Sequence, residues 1–192
     1  MLFMNTSHVL GLPVPDAPIW VQSLGGPLVV VPVDALSAWG GAAAGRDDSE
    51  HSDDYDRACA VDGWAGVLPI GDGPAQALVL GDEPATTCYL PDHRLFVRWI
   101  AADSEPELLA ATAAHLVSPL TEWEECGVWE TSGPALLMDS ATPGAEVNAE
   151  YPNGGGLPEQ APVPITAGRW RTRAAYSKSE GVWANLVHLV PE

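Results

Sequence analysis

Short apolar runs alternate with clusters of Gly, Pro and Asp along most of the chain, and that punctuation predicts strands. The first runs are residues 19–23 and 28–31; the Gly25-Gly26-Pro27 turn between them predicts a hairpin. Residues 28–31 are apolar without interruption, the pattern of a central strand covered on both faces. From Asp54 to Trp99, a charged entrance, Asp54-Tyr55-Asp56-Arg57-Ala58-Cys59, leads into runs at 67–70, 77–81, 86–90 and 94–100, which read as a short β-meander. Its turns lie at 71–74, 82–84 and 91–93, where Gly, Asp or Pro supplies the required backbone angles.

Helical signals are confined to two places. Ser104 with Glu107 has the form of a capping box, Pro106 suits the first turn, and Leu108, Leu109, Ala111, Thr112, Leu116 and Val117 mark an apolar face before Pro119 stops the helix. A shorter turn of helix is expected from an Asp34 N-cap to Trp39, ended by Gly40-Gly41. Beyond it come strands at 122–130 and 135–139, a Pro/Gly-rich loop at 140–164, and a closing hairpin whose first arm carries Arg169, Arg171 and Arg173 on one face and Trp170, Thr172 and Ala174 on the other. The expected fold is α+β and β-dominated: mostly antiparallel sheets built from hairpins and meanders, with one main helix at about 104–117 packed on a sheet. The expected organisation is an extended lead-in at 1–18, an α+β unit at 19–118, and a second β unit at 119–192 packed on the first. A faint echo between residues 20–28 and 129–136 favours two packed sub-sheets over one.

Composition supports a core and constrains the partner. Of 192 residues, 46% are hydrophobic and eight are Trp, which rules out a disordered acidic tail. The net charge is −18, and only four of the eight bases precede residue 168 against 24 of the 26 acids. Such a surface repels phosphates, so direct nucleic-acid binding is not expected, whereas a basic protein would be steered toward it. The acids concentrate in an insert, with Asp47, Asp48, Glu50, Asp53 and Asp54, and at Glu122, Glu124 and Glu125. The insert lacks the alternation, Gly and terminal Glu of a calcium loop. Three cysteines without a C-x-x-C pair suit a reducing compartment, residues 1–11 lack the basic region and cleavage site of a signal peptide, and no run reaches bilayer-spanning length; the expected location is cytoplasmic, without membrane contact.

Catalytic chemistry is weakly represented. No His lies at ligand spacing from another His or a Cys, so neither metal nor cofactor is expected, and there is no G-x-S-x-G elbow. Cys88 with His93 is the nearest approach to a nucleophile and base, and a structural thiol is the preferred reading. Arg57 and Arg98 are expected to find internal acceptors, Asp82 or Glu83 among them, and Trp20, Trp39, Trp64 and Trp99 to pack in the core or at a seam. Two alternatives have structural signatures: a small-ligand regulatory module would show a Trp-lined pocket, and a small hydrolase would place Cys88 or a Ser within reach of His93 or His188.

Ser23 with Gly25-Gly26-Pro27-Leu28-Val29, Trp39-Gly40, Asp54-Tyr55-Asp56-Arg57-Ala58-Cys59, Leu78-Val79-Leu80-Gly81-Asp82-Glu83-Pro84 and Arg98-Trp99 together resemble the immunity protein 21 family of bacterial polymorphic toxin systems, over roughly residues 19–115. The resemblance implies a non-enzymatic cytoplasmic protein that binds and neutralises a cognate toxin. Joined to the charge, it suggests a basic toxin such as a nuclease, met by Asp47, Asp48, Glu50, Asp53, Asp54, Asp56, Glu122, Glu124 and Glu125. Tyr55, Arg57, Asp82, Glu83, Arg98 and Trp99 are then expected to serve the structure.

Overall fold

The computed structural model describes residues 17–42, 53–81 and 83–192. Two antiparallel sheets face each other. The first has the order β1 (Trp20–Val21), β5 (Thr86–Leu90), β6 (Leu95–Ala101), β11 (Val182–Pro191), β10 (Gly168–Ser179), β7 (Glu124–Thr131). The second has the order β3 (Gly66–Pro69), β4 (Gln76–Leu80), β2 (Leu28–Pro32), β8 (Ala135–Asp139), β9 (Gln160–Val163). Each sheet draws strands from both sides of residue 118. The sheet-dominated α+β class and the pairing of two sheets agree with the sequence pattern.

Three apolar clusters stack through the molecule. Between the sheets lie Val21, Leu28, Val30, Leu78, Leu80, Tyr89, Phe96, Trp129, Leu137, Val163, Trp170, Val187 and Leu189. Behind the second sheet, Val29, Val31, Val79 and Met138 meet Trp39 and Ala58. These two belong to the segment after a 3-10 helix over Val33–Ala38 and to α1 (Asp54–Cys59). Behind the first sheet, Cys88, Leu95, Val97, Ala184 and Leu186 meet Leu108 of α2 (Glu105–Val117). The alternating side chains of β2 therefore enter different clusters, which is why its run is apolar throughout. Full burial of each large apolar side chain contributes about 1.5–3 kcal/mol.

Several local expectations are corrected. Residues 19–23 and 28–31 do not form a hairpin: β1 pairs with β5, whereas β2 lies between β4 and β8. Val21 and Leu28 both belong between the sheets, so the chain crosses from one sheet to the other through Gly25 (φ 124). The meander likewise divides into a β3–β4 hairpin in one sheet and a β5–β6 hairpin in the other. Both edges of β4 are already taken, by β3 and β2, leaving none for β5. The entrance hexapeptide is helix α1, and the 140–164 loop contains edge strand β9, where Pro162 is tolerated because β9 needs only one hydrogen-bonded neighbour.

Helix α2 starts at the expected place, but the Ser104 side chain makes no capping bond; its carbonyl accepts the Leu108 N–H, and Glu105 accepts from the Trp20 indole at 2.9 Å. Leu108 and Thr112 are buried, whereas Val117 is 80% exposed, because the packed stripe follows i, i+4 spacing. Asp34 is not an N-cap: Pro32 occupies that position, and Asp34 accepts from the Ser132 hydroxyl at 2.7 Å. The closing hairpin forms as expected with a shorter turn, and its Arg stripe faces away from buried Trp170, Thr172 and Ala174. Among the described residues no helix is long and apolar enough to cross a membrane.

Candidate functional site

Distant motif segments meet at one end of the second sheet around Asp139. This carboxylate is 4% exposed; Oδ2 accepts the Leu24 N–H at 2.8 Å and Oδ1 the Ala141 N–H at 2.9 Å. The next carbonyl, of Ser140, accepts from the Trp39 indole at 3.0 Å. Gly40 N–H reaches Asp54 Oδ2 at 2.8 Å, and Tyr55 N–H reaches the Gly41 carbonyl at 3.2 Å. The Tyr55 ring covers Gly26 so closely that a Cβ there would lie 2.6 Å from Cε2. A side-chain hydrogen bond with Cys59 and the charge of that thiol, then burial and the neighbouring Asp139 and Asp56, raise the Tyr55 pKa.

The acids beside this junction are already occupied. Asp53 Oδ1 caps α1 by accepting the Asp56 N–H at 2.7 Å. Asp54 Oδ1 holds Arg57 at 2.7 Å, and Arg57 also donates to the Pro69 carbonyl at 2.6 Å, fastening α1 to β3. Asp56 is not free either. Arg98, 1% exposed between the sheets, donates to Asn185 Oδ1 at 3.2 Å and to the Glu83 backbone carbonyl. Glu83 thus accepts from Arg98 through its main chain. Asp47, Asp48, Glu50 and Asp82 lie outside the described residues.

The second acidic patch borders a groove of about 460 Å³ lined by Trp64, His115, Leu120, Glu122, Trp123, Glu124 and residues 174–176. It opens where β7 and β10 part: their pairing ends at Glu124 opposite Ala174, while β10 continues to Ser179 paired only with β11. One wall is Trp64 stacked on Tyr176, with ring centroids 5.5 Å apart. Another is Trp123, with the Arg173 guanidinium 4.5 Å from its centroid and His188 beside it. Glu122 and Glu124 are exposed and have no ion-pair partner among the described residues. Glu125 lies 3.7 Å from Arg171.

A family model described as immunity protein 21 matches residues 19–181. The chain belongs to that family. Membership suggests an immunity protein of a toxin system. No curated protein and no solved structure matches the chain. The match extends well past residue 115, where the resemblance noted from the motifs stops, and so takes in β7 to β10 and the groove.

Set against the immunity family, the residues weighed for catalysis have structural surroundings. Cys88 is buried, and that burial, with Glu105 nearby, pushes its thiol up to about 12, so it is not a thiolate at neutral pH. His188 is pulled down to about 4 by burial and then by Arg173, and its Nδ1 faces the Arg173 guanidinium, 3.1 Å away. Among the described residues no group of His, Cys, Asp or Glu is arranged to hold a metal. Trp39 is buried, and Trp20 meets Trp99 edge-on at 5.3 Å beneath α2. Sequence reasoning missed Asp139 and the groove; the only signal for Asp139 was an acid closing the apolar run Ala135-Leu136-Leu137-Met138.

Proposed function

We propose that the protein neutralises its cognate toxin by binding it without catalysis, and that the toxin is basic. One observation carries this reading: every base among the described residues is engaged by the chain itself. Arg57 pairs with Asp54, Arg169 with Glu130 and Glu192, and Arg171 with Glu125. Arg98 is buried among acceptors, while Arg94, Arg173 and Lys178 lie over Trp170, Trp123 and Trp183. No described base is left to receive an acidic partner, and the excess of acids dominates the outward field.

Such a field speeds encounter with a basic protein by about 10- to 1,000-fold at low ionic strength. A nuclease fits because its substrate cleft already presents positive charge to phosphates. The candidate contacts are Asp47, Asp48, Glu50, Asp53, Asp54, Asp56, Glu122, Glu124 and Glu125; of the described ones, Glu122 and Glu124 have uncommitted carboxylates, whereas Asp53 and Asp54 also hold α1.

The test is capture of partners from a lysate of the producing bacterium at low and high salt, followed by assay of the purified partner's activity with the immunity protein added. A basic protein whose activity is blocked at equimolar ratio, and whose association slows with salt, is expected. Failure to capture any protein that it inhibits, or inhibition of an acidic one with salt-independent association, overturns the reading.

A further inference from the structure

We propose that the wedge between residues 120–124 and β10 is the subsite that receives an arginine side chain from a basic segment of the toxin. The proposal rests on the toxin-binding reading above and assigns that reading a place. Three features converge on a guanidinium. Trp64 and Tyr176 supply aromatic surface, on which a planar, weakly hydrated cation stacks better than an ammonium does. Glu122 and Glu124 stand at the rim with no ion-pair partner among the described residues, and a carboxylate can accept two parallel N–H donors from one guanidinium. Beyond Ala174 the β10 backbone pairs only with β11, so the edge toward the wedge is open to the remaining donors.

Arg173 already covers Trp123, 4.5 Å from its centroid, so the incoming guanidinium meets the Trp64–Tyr176 wall instead. Leu120, 87% exposed on the rim, offers apolar contact for the aliphatic stem of the incoming side chain. His115 lines the wedge with an Nε2 shielded from water and unpartnered among the described residues, and burial lowers its pKa, which favours the uncharged ring beside a cation. A wholly apolar ligand would leave the two rim carboxylates unanswered, and an anion would meet them directly. A cation with a flat apolar face satisfies both walls and rim.

The probe is an acetylated, amidated tetra-arginine peptide, with tetra-lysine and tetra-citrulline peptides as charge-matched and neutral counterparts, titrated at low salt by tryptophan fluorescence and calorimetry. The expected order is arginine, then lysine, with no binding of citrulline. The rim variant E122Q/E124Q and the blocking variant L120R should each weaken the arginine peptide about five- to tenfold, with unchanged thermal midpoints since all three positions are exposed. The control D72N/D92N removes the same charge from exposed turns elsewhere and should change affinity less than about twofold. Equal losses in rim and control variants, or equal binding of arginine and lysine peptides, overturn the subsite. Capture of the toxin unaffected by E122Q/E124Q and L120R overturns the subsite while leaving toxin binding intact. Peptide binding in the wedge without any inhibited toxin overturns the toxin as its occupant.

Discussion

Removing the Asp139 carboxylate should loosen the junction on which the motif segments meet. In D139A the Leu24 and Ala141 N–H groups lose acceptors at 2.8 and 2.9 Å, both from a carboxylate that is 4% exposed. Hydrogen bonds to a charged acceptor contribute about 1.5–3 kcal/mol each. Leu24 is 72% exposed, so water recovers part of its bond, and the lower end of that range applies; the expected total loss is about 3 kcal/mol. D139N keeps one acceptor but turns an NH2 toward the other N–H donor, and should lose about 1.5–2 kcal/mol. Guanidinium denaturation followed by tryptophan fluorescence reads both, because Trp39 donates to the adjoining Ser140 carbonyl. With a slope of about 5 kcal/mol per molar, D139A should lower the midpoint by about 0.6 M. D72N, in an exposed turn, should stay within about 0.5 kcal/mol of the parent. A loss below about 1 kcal/mol in D139A, or a D139N protein as stable as the parent, would refute the claim that this carboxylate joins the segments.

Thiol chemistry should separate the cysteines: at pH 8 in the folded protein a disulfide reagent should modify exposed Cys59 first and leave Cys88 silent until denaturation, because burial holds the Cys88 thiol protonated at about 12. Peptide mapping that finds Cys88 modified rapidly in folded C59S protein would contradict its placement. For His188 the folded pKa, about 4, lies below the unfolded value, so the unfolded chain binds the extra proton and stability falls as pH drops from about 6.5 toward 4. Allowing for the partial exposure of the ring, the loss is about 1–2 kcal/mol, and H188Q should flatten the acid limb of stability against pH; an unchanged limb would assign that proton uptake elsewhere.

What the sequence made legible was local and periodic. The unbroken run of β2, the alternation along β10 and the span of α2 follow from side-chain spacing alone, and each is where the spacing put it. Sheet membership was not legible. Trp20 pairs opposite Cys88 because the edge of β5 away from β6 is the one left open, a condition set by strands far away in the chain. Gly26 illustrates the same limit: the sequence marks a turn, but the need for a residue without a side chain comes from the Tyr55 ring across the junction. The groove was hidden for a related reason, since Trp64, His115, Trp123 and Tyr176 come from four separate segments. Its trace in the sequence was Trp123 set among glutamates that read as an acidic patch on a strand.

Composition treats all 26 acids alike, whereas the structure divides those it describes by what they hold. Asp53, Asp54 and Asp139 accept main-chain N–H groups, and Asp54 pairs with Arg57 as well; changing them alters the fold before it alters any surface. The Glu122 and Glu124 carboxylates have no ion-pair partner among the described residues and border the stretch of β10 from which β7 has withdrawn. A protein that must match a particular toxin benefits from this separation. Recognition residues outside the hydrogen-bonded framework can change with the partner at little cost in stability, because exposed positions of that kind typically shift folding free energy by less than about 0.5 kcal/mol. The same separation makes net charge alone a poor guide to a binding face: acids at the α1 junction add to the long-range field that would steer a basic partner, but their carboxylates are already bonded and have less to offer at contact. On the proposed reading, steering and docking fall to different carboxylates of one acidic surface.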